Sequence, residues 1–360
     1  MDSLQLDEIF LATVALIFAL SLAAAVVGRL AKDKCLKLMH DHHVTYLPET
    51  GPIILGDMHV RSHGFEIIFD SPFVSSRDLA KTGCLIYEDK APHALAICRT
   101  IHGLTKDELR DREKQIARGV HPGLLRRLRR GIANSLNVVR DAIVNALGLV
   151  IGRFAGAGIG SAVKAQSGQV TEFSGTLLGM VANAYEPLLE RHIGKPVILE
   201  VLYPNDAPFR SGEFPGYLVE YNQTFIALLS PDRSSQERIE AEVDETTELE
   251  GCTVELTEGH VSVVCTGEDA IVVKQLILDS REMDMAAALL PGQRLTFHRP
   301  SVGRVRLSAE RTRRLDLVVP RSRARVRFSS IPRKAERKEW SGVAPEIHTP
   351  PNKEPPAFAQ

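Results

Sequence analysis

One run of apolar positions sets the expected layout of the chain. Ile9 to Gly28 reads IFLATVALIFALSLAAAVVG, twenty residues without a charge and with only Thr13 and Ser21 polar. As a helix it would be about 30 Å long, the thickness of a bilayer's hydrocarbon core. A helix buried in a globular core rarely stays apolar on every face for so long. The pattern predicts a transmembrane helix over 9–28. Ile9, Phe10, Leu11, Leu16, Ile17, Phe18, Leu20, Leu22, Val26 and Val27 form its membrane anchor. Residues 1–8 carry Asp2, Asp7 and Glu8 and no basic side chain, unlike the start of a cleaved signal peptide. Arg29, Lys32, Lys34 and Lys37 follow the span. The positive-inside rule then expects a single-pass membrane protein with its N-terminus outside and its C-terminal body in the cytoplasm.

Beyond the span the periodicity changes three times. A polar juxtamembrane segment, 29–49, contains HDHH. Residues 50–103 read as short strands, GPIILGDMHV, FEIIFD, GCLIYED and HALAICRT, between turn residues. Residues 104–194 read as helical. Thr105 and Glu108 form a capping box for the charged stretch KDELRDREKQIARG, which is expected to be solvated nearly all round. Leu125, Leu128, Ile132, Leu136, Val139, Ile143, Leu147 and Val150 then draw one apolar stripe. Arg126, Arg127, Arg129 and Arg130 open the opposite side. The stripe either packs on a neighbouring element or lies in a lipid headgroup plane, where these arginines meet anionic lipid. A second helix, Val170 to Ile193, with a kink at Pro187 and a stop at Gly194, completes an expected hairpin.

From Lys195 the period returns to two. KPVILEVLY, GYLVEYN and TFIALLS read as strands within 195–230. An acidic linker, 231–250, leads to a second β-rich segment, 251–330. That segment contains GCTVELTEG, HVSVVCTG, AIVVKQLIL, QRLTFHRP, RVRLS and RARVRF. Residues 331–360 are rich in Pro, Lys and Glu and read as a disordered tail. Between Phe214 and Leu228, the residues Gly216, Leu218, Tyr221, Asn222, Phe225 and Leu228 fall in step with a known pattern. This stretch resembles the first motif of the Sm-like small-barrel family. The resemblance covers about residues 195–230 and implies a strongly bent five-stranded barrel. Ile226 stands where that family carries Asn, and no Arg-Gly second motif follows, so RNA binding does not come with it. Two β segments of similar size suggest a duplication, but the residues show no alignable period. The expected fold is α+β: one N-terminal transmembrane helix, two small barrel-like β-rich domains flanking a helical hairpin, and the tail.

Charge changes this picture more than composition does. The chain has 360 residues, is 44% hydrophobic and has a net charge of −1. That balance hides an asymmetry. Residues 231–285 hold fifteen acidic and four basic side chains, whereas 299–338 hold fourteen basic and three acidic ones. In the alternating runs, Arg304, Arg306, Arg323, Arg325 and Arg327 share one strand side, opposite Val305, Leu307, Ala324, Val326 and Phe328. Such a face suits lipid phosphate, nucleic acid or the chain's own acidic region. Five cysteines without CxxC spacing fit a reducing compartment.

His40, His42, His43, His59 and His63, with Asp57, invite a metal. Their spacing suits no regular element, so a polar surface cluster is expected, with no metal and no cofactor. Gly156, Gly158 and Gly160 lack the context of a nucleotide loop. No catalytic constellation stands out, and no enzyme activity is expected. The expected function is a membrane-anchored, cytoplasm-facing scaffold or adaptor for lipid or protein partners. A membrane-tethered nucleic-acid binder is the alternative, and assembly with further copies of the chain stays open.

Overall fold

The computed structural model describes residues 33–74, 78–120, 186–205, 207–230, 237–257, 259–278, 281–298 and 304–329. Strands make up 59% of them, with two α-helices. The chain first lays down β1 (His42–Pro48), β2 (Ile54–Arg61), β3 (Gly64–Val74), β4 (Ala80–Tyr87) and β5 (Ala94–Arg99). Helices α1 (Lys106–Val120) and α2 (Pro187–His192) follow, then β6 (Pro196–Leu202), β7 (Ser211–Tyr221) and β8 (Phe225–Leu229). Next come β9 (Glu237–Val243), β10 (Thr247–Leu249), β11 (Cys252–Thr257), β12 (His260–Cys265) and β13 (Ala270–Leu278). The last strands are β14 (Arg281–Leu289), β15 (Arg294–His298), β16 (Val305–Thr312), β17 (Asp316–Pro320) and β18 (Ala324–Ser329).

Ten strands form one sheet in the order β18-β6-β7-β8-β17-β5-β1-β2-β3-β4. It is a single five-strand order written twice. In the first unit, β1 to β4 form an antiparallel meander and β5 returns to pair with β1. In the second unit, β6, β7, β8 and β17 form the meander and β18 returns to pair with β6. A short helix precedes the first strand of each unit: the 3-10 turn Leu36–Met39 before β1, and α2 before β6. A tight turn joins the fourth strand to the fifth in each, at Ala91–His93 and at residues 321–323. The units meet where β17, a fourth strand, pairs antiparallel with β5, a fifth strand.

The apolar periodicity explains the two cores. Val44, Met58, Val60, Phe65, Ile67 and Ile86 fill the first, and Val197, Leu199, Phe214, Leu218, Leu228 and Val319 the second. Each set occupies alternate positions of strands with one buried face. β5 and β17 lie at the centre of the sheet, and every residue in them is buried. They read as continuous apolar runs, ALAIC and LVV, because both faces are covered.

Residues between β8 and β17 form an insertion in the second unit. It has two four-stranded sheets, β10-β11-β12-β15 and β14-β13-β16-β9, around a shared core that includes Val254, Val263, Ile271, Leu276, Leu289 and Leu307. It meets the first unit at Thr45. The Thr45 hydroxyl donates to the Ala286 carbonyl at 3.3 Å and accepts from the Ala288 amide at 2.9 Å.

This architecture corrects the expected α+β fold. Among the described residues, the chain is mostly β-sheet, and no helix is long and apolar enough to cross a membrane. Single-pass membrane placement with a cytoplasmic body is therefore not supported. The anchor residues within 9–28 themselves lie outside the described residues, as does the stripe helix with Arg126, Arg127, Arg129 and Arg130. The β-rich segments are not two domains flanking a hairpin, because strands from 42–99, 196–229 and 316–329 share one sheet. The second predicted helix also differs where it is described. Glu186 is extended (φ −121°, ψ 111°), so Pro187 starts a six-residue helix instead of kinking a long one. The proline ring crowds the preceding residue out of the helical region and suits a first turn. Gly194 does end this helix, at φ +75°.

The Sm-like resemblance centred on 195–230 meets five strands at that place. Two of them arrive from 316–329, beyond the insertion.

Candidate functional site

The junction between the two units is built on a buried charge cluster. In the β17–β5 ladder, Asp316 lies opposite Arg99. Helix α1 brings the third member. Thr105 caps α1: its amide donates to Glu108 Oε2 at 2.7 Å, and the Glu108 amide donates to Thr105 Oγ1 at 3.3 Å. The helix packs on β7, where Gly119 lies against Val219; a Cβ there would come within 2.8 Å of Val219 Cγ1. That close approach turns one side of α1 inward and buries Arg112.

Asp316 Oδ2 accepts from Arg99 Nε at 2.9 Å and from Arg112 Nε at 2.6 Å. Its Oδ1 accepts from a terminal nitrogen of Arg112 and from the Ser230 amide, both at 2.9 Å. Arg99 also donates to the Leu38 carbonyl at 2.9 Å and to Gln115 Oε1 at 3.1 Å. Burial alone would raise the Asp316 carboxyl, but the charges of Arg99 and Arg112 outweigh it and hold the group below its ordinary value. The cluster joins β5, α1, the end of β8 and β17. Its role is to clamp a fourth strand to a fifth strand.

The same two kinds of strand end the sheet. Among the described residues, β4 has β3 as its one ladder neighbour and β18 has β6. The exposed large apolar side chains gather there. Leu85 (62% exposed) and Tyr87 (61%) share one face of β4, while Ile86 between them is buried. Leu79 precedes β4 and Ile68 lies beside it on β3; both are exposed. At the other end, Phe328 on β18 is 39% exposed, and Leu188 is exposed on α2 just before β6. The register shifts between Val326 and Phe328, and this bulge breaks the alternation that would have turned Phe328 inward.

The arginine strands carry partners within the chain. Arg304 and Arg306 both reach Glu242 on β9, at 3.3 and 3.2 Å. Their hydrogen bonds and charges hold the Glu242 carboxyl below its ordinary value. Arg323 lies in the turn before β18 and pairs with Glu49. Arg327 donates to Glu200 at 2.7 Å, and Arg325 stands opposite Glu200 in the ladder. These arginines form two separate groups, one on the insertion and one at the β18 end.

The histidines also separate. His42 is buried, and its ring Nδ1 contacts the His40 carbonyl at 2.8 Å. His43 pairs with Asp70 at 3.1 Å. His63 lies 3.9 Å from Glu88 at an exposed turn. His40 and His59 come together on either side of Asp41.

A scan against protein-family models finds no match to the chain, and searches of curated proteins and of solved structures find none either.

Proposed function

We propose that the protein is a non-enzymatic scaffold that joins copies of itself edge to edge, the open β4 of one copy receiving the open β18 of the next. The observation that carries this is the internal junction. Within one chain, a fourth strand already pairs with a fifth strand across the β17–β5 ladder. β4 and β18 are the remaining fourth and fifth strands, and both present exposed apolar side chains. An open strand edge is a template for pairing with another chain. Because β4 and β18 are different surfaces, the contact is head-to-tail. It yields a ring if the rotation closes and a filament if it does not. The intramolecular carboxylate partners of Arg304, Arg306, Arg323 and Arg327 favour this reading over nucleic-acid binding, which needs basic groups available to phosphate.

Sedimentation velocity over a range of concentrations tests the proposal. Species larger than one chain should grow with concentration. A single monomeric boundary throughout, or assembly unaltered when both edges are substituted, would remove it.

A further inference from the structure

The turn into β1 holds a second constellation, independent of the sheet edges. Antiparallel pairing of β1 with β2 sets His42 opposite Met58. Continued by one step, the same register sets Asp41 beside His59, and the Asp41 amide donates to the Met58 carbonyl at 2.8 Å. One step further, His40 lies beside Val60, whose amide donates to His40 Nδ1 at 3.3 Å. Asp41 takes a left-handed backbone conformation, φ +58°. Aspartate tolerates that conformation better than most residues, because its short polar side chain bonds locally. Here it swings the carboxylate between two imidazoles.

Asp41 Oδ1 lies 3.0 Å from His40 Nδ1 and 2.9 Å from His59 Nδ1. The two rings stand edge to face with centroids 6.1 Å apart. One ligand atom from each of the three residues lies within 4.8 Å of the other two. Four-coordinate zinc with bonds of about 2.0–2.1 Å separates its ligand atoms by about 3.3 Å. The cluster is therefore already near the size of a coordination shell. As a ligand, His40 would present the Nδ1 lone pair, the same form in which that atom accepts the Val60 amide. Ligation would replace the long 3.3 Å contact from Val60 with a short bond to the metal.

We propose that His40, Asp41 and His59 form a binding site for a divalent transition-metal ion such as Zn²⁺. Two imidazoles and one carboxylate are the donor set such ions take, and hard cations such as Mg²⁺ prefer oxygen alone. The side chains are 24%, 66% and 30% exposed, which leaves an entry path and room for water at a fourth position. Glu66 stands opposite His59 on β3, on the same face of the sheet.

The probe is the metal itself, added to the full chain. Co²⁺ is followed by its visible absorption and Zn²⁺ by calorimetry. The expected result is one equivalent bound at micromolar affinity, with protons released as the imidazoles are ligated. His59→Ala and Asp41→Asn should each weaken binding by at least about tenfold, close to 1.4 kcal/mol. His260→Ala, which alters the separate His260–His298 pair between β12 and β15, should leave binding unchanged. Asp41 is the most exposed of the three, so Asp41→Asn keeps the test open if His59→Ala fails to fold. Binding no tighter than millimolar, or binding that both substitutions leave intact, would overturn the proposal.

Discussion

Substituting one sheet edge at a time gives the most discriminating prediction. Leu85→Lys places a charge on β4, and Phe328→Lys places one on β18. Leu85 is 62% exposed. Full burial of a leucine side chain stabilises by about 1.5–3 kcal/mol, so covering the exposed share contributes about 1–2 kcal/mol. Losing that weakens an edge contact by about 5–30-fold. Phe328 is 39% exposed, and the same scaling gives about 1 kcal/mol for its contact.

Each variant alone should sediment as a monomer at concentrations where the unsubstituted chain assembles. Mixed together, they should form a one-to-one dimer and stop there. The intact β18 of Leu85→Lys fits the intact β4 of Phe328→Lys, and the two remaining edges are blocked. If either variant assembles as well as the unsubstituted chain, or if the mixture behaves as its components do alone, head-to-tail pairing is wrong.

Other consequences concern the buried groups. Asp316→Ala leaves two buried guanidinium groups without their carboxylate and should lower stability by about 3–5 kcal/mol in urea unfolding at neutral pH; a loss under about 1 kcal/mol would contradict the clamp. Because the Asp316 carboxyl is held below its ordinary value, its contribution is present above about pH 3.9, the unfolded value, and is lost as pH falls through the lower folded value. The unsubstituted chain should therefore show an extra loss of stability below about pH 4 that Asp316→Ala lacks. Burial pushes the Cys252 thiol up to about 11 and the Cys265 thiol up to about 12, so a thiol reagent at pH 8 should label the half-exposed Cys84 first and the other four only after unfolding. Gly119→Ala should destabilise despite alanine's higher helix propensity, because the added Cβ meets Val219; a rise in melting temperature would refute that packing.

Strands with a clean period of two or a buried apolar run were legible in the residues, as were the Thr105 cap and the stop at Gly194. Other strands were hidden by their polar content. β1 reads HHVTYLP and looks like a polar connector, yet most of it is buried. β9 reads ERIEAEV and falls inside the expected acidic linker, because its carboxylates face outward and pair with Arg306 and Arg311 of β16. The charged helix α1 showed no sign of which arginine turns inward. Arg112 is selected by a carboxylate 204 positions away. The repeated strand order is hidden in the sequence for a related reason. The two units share an order of hydrogen bonds, not residues, and an insertion separates the third and fourth strands of the second unit. Asp41 joins the histidine pair only once β1 and β2 are in register.

Amide hydrogen exchange of the full chain at low and high protein concentration tests the head-to-tail account most directly. Pairing of β4 with β18 predicts that amides in 80–87 and in 324–329 gain protection together as concentration rises. Amides in β5 and β17, already paired within the chain, should not change. Protection that rises at one edge alone, or at neither, would contradict the account.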